Sequence, residues 1–320
     1  MSSSTSSSDR ARRRVAICLC LFFAALEAVT RLWLIPGSKD LRRMADFPAR
    51  ARALVASAPT TVAVLGDSTA DLGVDPRLLA SALEEATGRE IEAGMFPADG
   101  ATASVIRAVA EAEFFKPGLR PTLIVIGYHE DALDDGTRFD VGRSARFLVE
   151  PGDWPEVFRL DVPGLEQRAD LVTSSFWATF AARDRIQERV LASIPGYKTW
   201  VGNINGANFD ELRAESPGHR ETRHEVLRRF VERARDRGVR LCFVAFPILD
   251  RAGGRPRIYD LPAEVPEIVR EGGMLFIDLR FVEGLQPRHY RDHLHLNELV
   301  RPILTRRLAR DLAAIWRPDR

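Results

Sequence analysis

Cysteine is scarce in these 320 residues. Cys18 and Cys20 lie in an apolar run and Cys242 lies in a β-branched and aromatic one, so neither a disulfide framework nor a paired-cysteine zinc site can be built. Lysine is scarcer relative to its partner: Lys39, Lys116 and Lys198 stand among 46 basic residues, and we read the arginine excess as coding bias. Net charge is also nearly absent, at +1, so no global field steers the chain to nucleic acid. No glycine-rich phosphate cradle follows a strand-like run, which argues against a nucleotide or flavin site. No internal repeat is visible. With 45% apolar and 28% charged residues, the chain has the balance of a folded protein with a core.

The N-terminus reads as a membrane address. Residues 1–14 are a Ser/Thr-rich tail, expected to be disordered, that ends in Arg10, Arg12, Arg13 and Arg14. Residues 15–35 then form an apolar segment interrupted only by Glu27 and Arg31, close to the 20 or so residues that span a bilayer core. Those two charges are four apart in the acid-first order and can pair on one helix face, with Trp33 as an interfacial aromatic. No small-x-small cleavage site follows the apolar run, so a retained signal anchor is expected rather than a cleaved signal peptide. The arginines abutting the run place the tail inside, which puts the rest of the chain in the periplasm or exterior of a single-pass inner-membrane protein. Residues 36–58 read as a linker with a short amphipathic helix.

From residue 59 onward, apolar strands alternate with amphipathic helices. The expected strands are Thr61–Leu65, Glu90–Met95, Thr122–Ile126, Val239–Phe246 and Met274–Leu279. The helices between and after them include Pro76–Thr87 closed by Gly88, Thr102–Phe115, Glu221–Arg237 and Glu298–Trp316. This alternation predicts an α/β fold with a five-stranded parallel sheet covered on both faces. The third and fourth strands are about 90 residues apart, more than a crossover needs, so an insertion is expected over about 132–220. Within it 176–194 is helix-like and 196–209 is rich in Gly and Asn. It reads either as a cover over the carboxyl ends of the strands or as a helical cap on the sheet edge.

Ligands of such sheets bind at the carboxyl ends of the strands, so the loops there carry the chemistry. After the first strand comes Gly66-Asp67-Ser68-Thr69, a tight turn that can expose a serine hydroxyl beside backbone N–H groups. Asp67 or Ser68 acting only as a helix cap is the plainer alternative. After the fifth strand comes Asp292-His293-Leu294-His295-Leu296-Asn297. A carboxylate three residues before an imidazole can hold one ring nitrogen and leave the other to take a proton from a serine. Ser68, His295 and Asp292 are therefore the candidate nucleophile, base and orienting acid. His289, His293, His295 and Asp292 could also be imagined as a metal site.

Val-Leu-Gly-Asp-Ser-Thr and Asp-x-x-His-Leu-Asn resemble the first and last blocks of the SGNH/GDSL hydrolases, and the likeness covers about residues 60–315 apart from the insertion. It implies a flavodoxin-like three-layer sandwich, ester chemistry through Ser68, His295 and Asp292, and no metal or other cofactor. The oxyanion hole it implies is made by Ser68 N–H, Gly100 N–H and the third-block residue. That residue is asparagine in the family pattern Gly-x-Asn-Asp, whereas this chain has Gly127-Tyr128-His129-Glu130, which puts His129 in the role. The anchor and insertion are similar to those of bacterial, envelope-facing members, some of which act in O-acylation of surface polysaccharides. The implied partners are an acyl ester substrate, of polysaccharide or lipid, and the membrane through residues 15–35. The altered third block leaves a second reading open, a module that binds glycan or a membrane partner without turnover.

Overall fold

The computed structural model describes residues 6–130, 132–135, 139–192, 194, 196, 223–249 and 256–316. The chain opens with helix α1 (Ser6–Val29), which continues through a π-turn (Thr30–Leu34) to Gly37. Arg10–Gly37 is long and apolar enough to cross a membrane. Helices α2 (Lys39–Ala45) and α3 (Phe47–Ser57) follow. The α/β body then runs β1 (Thr60–Gly66), α4 (Ser68–Gly73), α5 (Pro76–Thr87), β2 (Ile91–Pro97), α6 (Ala103–Ala110) and β3 (Leu123–Tyr128). In the insertion lie α7 (Val141–Phe147), α8 (Trp154–Leu160), α9 (Leu165–Phe176), α10 (Ala178–Ala181) and α11 (Arg183–Ala192). The body resumes with α12 (Glu225–Asp236), β4 (Arg240–Ala245), α13 (Glu264–Glu271), β5 (Leu275–Asp278) and α14 (Arg301–Ile315).

The five strands pair in parallel in the order β2-β1-β3-β4-β5. This is the flavodoxin-like doubly wound order, whose ligand crevice lies where the winding reverses, outside the carboxyl ends of β1 and β3. Strands β1 and β3 are buried along their whole length, which is why they read as continuous apolar runs. One face of the sheet is covered by α3, α6, α12 and α13. The other is covered by α5 and α14, through Leu79, Leu83, Leu304, Leu308 and Trp316. Local signals set the helix ends. Asp75 accepts from the N–H groups of Arg77 and Leu78 to open α5, Pro76 pre-sets its first turn, and Gly88 closes it at φ 69°.

Residues 36–58, expected as a linker, are part of the body. Leu41, Met44, Phe47, Ala51 and Leu54 recur at three- and four-residue spacing and are all buried. Phe47 meets Phe96 edge-to-face at 5.5 Å, and Phe96 meets Phe114 at 5.1 Å. Arg50 Nη2 donates to the Met95 carbonyl at 2.6 Å. The apolar stripe gains more by covering the β2 side of the sheet than a solvated tether would. The helix expected over 176–194 is broken at Trp177 and Ala182, and α9 begins earlier, at Leu165. The insertion packs against the α6 side, where Arg107 donates to the Asp161 carboxylate at 2.6 Å. Apart from Gly196, the Gly- and Asn-rich stretch 196–209 lies outside the described residues.

Two glycines let the strand ends close on each other. Gly66 and Gly127 are register partners of β1 and β3. A Cβ on Gly66 would lie 2.6 Å from the Gly127 carbonyl oxygen and 2.7 Å from Ala70 Cβ. Gly66→Ala is therefore expected to cost about 2–3 kcal/mol in denaturant unfolding, because the obstructing atom is backbone and cannot swing away.

Glu113, in the π-turn Glu111–Phe115, is 2% exposed and its Oε2 has no hydrogen-bond partner among the described residues. Burial pushes its carboxyl up to about 7, only partly opposed by the Arg52 charge. The unfolded chain thus releases this proton at lower pH than the folded one, and stability is lost as pH rises from about 4.5 through about 7. Glu113→Gln should match wild type in thermal melts at pH 4 and exceed it at pH 8 by several degrees.

Candidate active site

The sheet register brings the site together. Gly66 pairs with Pro97 on β2 and with Gly127 on β3, and Ala98 N donates to the Gly66 carbonyl at 2.9 Å. Ser68 and His129 thus each lie two residues beyond a paired glycine, and Gly100 follows on the neighbouring loop. Asp67 is the N-cap of α4: its Oδ1 accepts from Thr69 N at 2.8 Å and from Thr69 Oγ1 at 2.5 Å. Ser68 is therefore the first residue of a helix, where backbone N–H groups have no intrahelical acceptor, and its side chain is half-buried. Gly100 has φ 65°, a conformation that favours glycine, and a Cβ there would meet nothing within 4 Å.

The last loop brings an imidazole to Ser68. His295 Nε2 lies 2.7 Å from Ser68 Oγ across 227 residues of chain. Its Nδ1 lies 2.8 Å from Asp292 Oδ2. Asp292 Oδ1 also accepts from the backbone N–H groups of Leu294 and His295, both at 2.9 Å. Partial burial opposes the Asp292 charge, but these hydrogen bonds from His295 and Leu294 outweigh it and hold the carboxyl below its usual range. With Nδ1–H donating to Asp292, Nε2 carries the lone pair that accepts the Ser68 hydroxyl proton. The loop is pinned by a Tyr290–Leu296 bridge and by Arg291 N donating to the His295 carbonyl at 2.7 Å.

The other two histidines of this loop are placed differently. His289 Nδ1 accepts from Gln286 N in a capping box, and the His293 carbonyl accepts from Leu249 N. Among the described residues no three His, Cys, Asp or Glu side chains are grouped as metal ligands.

His129 sits beside the nucleophile turn, and its Nε2 lies 2.9 Å from Asp67 Oδ2. Asp67 is 5% exposed. Burial opposes its charge, yet the contacts with His129 and Thr69 prevail and lower its pKa. A second His–Asp pair thus flanks Ser68, with Asp67 serving both as helix cap and as partner of the ring. The capping role was legible from the Gly-Asp-Ser turn. The second role was not, because nothing in the spacing of 67 and 129 links them before β1 and β3 are paired.

Sequence reasoning also missed an arginine clamp on the rim. Arg43 of α2 donates to Asp71 Oδ2 and to Asp99 Oδ1, each at 2.8 Å. Arg143 of α7 donates to Asp40 Oδ2 at 2.7 Å and to the Asp99 carbonyl at 2.7 Å. Both hold the loop that carries Gly100, and Asp71 belongs to the helix that Ser68 opens.

No family model and no curated protein matches the sequence. Solved structures resemble it at low identity. The structure named TesA is 14% identical over 80% of this chain and 100% of its own, with a TM-score of 0.39. Axe2, an acetylxylan esterase from Geobacillus stearothermophilus, is 13% identical over 82% of this chain and 96% of its own, also at 0.39. A lipase/acylhydrolase from Enterococcus faecalis is 11% identical over 82% and 99%, again at 0.39. The chain itself joins a 2-1-3-4-5 parallel sheet to a serine on the first strand's turn and an Asp-x-x-His loop after the last.

Proposed function

We propose that the protein is a membrane-anchored serine esterase or O-acyltransferase of the SGNH/GDSL type. The observation that carries this reading is the continuous hydrogen-bonded line from Ser68 Oγ through His295 to Asp292 at the carboxyl ends of the strands. Ser68 Oγ attacks the acyl carbonyl carbon while its proton passes to His295 Nε2. Asp292 stabilises the imidazolium so formed. The tetrahedral oxyanion is held by Ser68 N–H and Gly100 N–H, with His129 beside them in the third position. As the intermediate collapses, the ester C–O bond breaks and His295 returns the proton to the leaving alkoxide. The acyl group then sits on Ser68. Water, or a sugar hydroxyl in the transferase case, next gives its proton to His295 and takes the acyl group.

The apolar segment within Arg10–Gly37 supports a retained anchor, and the arginines that precede it support a domain facing the periplasm or exterior. Envelope glycans or lipids are the substrates that such a location favours. The test is covalent labelling of the full-length protein by a fluorophosphonate. Wild type should be labelled at Ser68, and Ser68→Ala should not. An unlabelled wild type with a normal thermal melt would favour the binding module.

A further inference from the structure

The anchor is fastened to the domain rather than tethered to it. Glu27, inside the apolar segment, accepts from Ala178 N at 3.0 Å and from Thr179 N and Thr179 Oγ1, both at 2.9 Å. Thr30 Oγ1 and Thr179 Oγ1 are 3.1 Å apart, and the Phe23 ring meets the Trp177 ring edge-on at 5.3 Å. From Arg10 to Ala25 the helix is exposed apart from the Phe23 contact, but from Leu26 on one side is covered by the insertion while Trp33 on the other stays 78% exposed.

Depth follows from helix geometry. Phe23 stands eight residues, about 12 Å, beyond Val15 where the apolar run begins. A bilayer core is about 30 Å thick. Trp177, which touches Phe23, and its neighbour Phe176, 68% exposed, therefore sit at a level that acyl chains reach. An exposed phenylalanine beside a spanning segment is continuous with that apolar surface.

The same stretch of chain leads straight to the site. Arg43 lies six residues beyond Gly37, past the extended Ser38 and within α2, and it binds Asp71 of the nucleophile's helix and Asp99 beside Gly100. Asp40, still closer to the span, ties in Arg143, and Arg143 holds the Asp99 carbonyl. The crevice is thus within one arginine side chain of α2, the helix that begins two residues after the membrane-spanning one ends.

We infer that α1 and the insertion form one unit seated in the bilayer, with Phe176 and Trp177 in the bilayer core near its midplane, and that the Ser68 crevice takes its acyl ester from a membrane-resident amphiphile. This rests on the esterase reading above and narrows its substrate class. A flexible tether would let the site sample bulk water; the Glu27 and Arg43 contacts hold it at the lipid surface, where an amphiphile is concentrated and its ester lies at headgroup level.

The test uses the full chain in phosphatidylcholine vesicles, with two acetyl esters: water-soluble p-nitrophenyl acetate and vesicle-borne hexadecyl acetate. A ten-residue Gly/Ser insert between Gly37 and Ser38, combined with Phe23→Ala, Glu27→Ala and Thr30→Ala, frees the span while leaving the Arg43 contacts and the triad in place. This variant should keep turnover of the soluble ester within twofold and lower that of hexadecyl acetate at least tenfold. Equal retention on both esters, or a wild type that cleaves only the soluble one, overturns the inference and leaves the esterase reading standing. A wild type that cleaves neither ester removes both. A readout independent of activity is a bimane label on Phe176→Cys in a Cys18→Ser/Cys20→Ser background. Nitroxide lipid should quench it in vesicles, and an unquenched label overturns the placement.

Discussion

Ser68→Ala and His295→Ala should each lower kcat by 10⁴ or more, and the double variant should be no worse than the worse single. The reasoning is that the two groups act as one unit. Ser68 Oγ is 2.7 Å from His295 Nε2, so the serine is a nucleophile only while that nitrogen takes its proton. Removing either member removes the same step, and such losses are grossly non-additive. Asp292→Ala should cost less than either. Asp292 orients and stabilises the ring without touching the acyl group, and its side chain is half exposed, so water can partly replace it. His293→Ala should be near neutral, since His293 joins the loop through its backbone carbonyl. Steady-state hydrolysis of p-nitrophenyl acetate, with thermal melts as the fold control, checks the series. Additive losses in the double variant would show that Ser68 and His295 do not share a step.

The second large effect is expected at His129. Its removal as His129→Ala should lower kcat by about 10²–10³ with little change in KM, the usual worth of one oxyanion donor. The structure adds a condition. With the Nε2 proton engaged by Asp67, an oxyanion bond from this ring must come from Nδ1, which carries a proton only in the imidazolium form. The Asp67 carboxylate facing the ring favours that form. His129→Asn supplies an amide N–H without needing a charge, so it should recover part of the activity. Asp67→Asn should lower kcat as well, because it takes away the charge that faces the ring. A His129→Ala variant as active as wild type would mean that the hole is built from the backbone of Ser68 and Gly100.

Much of this was readable from residues alone, for a physical reason. β1 and β3 are buried on both faces, so their apolar runs are uninterrupted and announce a parallel sheet. The first and last loops advertise their chemistry because a serine on a strand-to-helix turn and an Asp three residues before a His are local patterns. What stayed hidden depends on tertiary pairing. Helix α3 looked like a tether because its stripe of Phe47, Ala51 and Leu54 is narrow and set among arginines. Only the presence of Phe96 and Phe114 explains what it covers. The Asp67–His129 pair and the Arg43–Asp99 clamp join residues 62 and 56 positions apart, and no periodicity connects them.

The distance along the chain between Ser68 and His295 has a consequence for synthesis. The Ser68 turn is made early, and His295 follows 227 positions later. Until the last loop has been made, Ser68 is an ordinary alcohol at a helix start. On the esterase reading, the last strand and the loop after it switch it on, so a nascent chain that stops short of that loop would do no acyl chemistry.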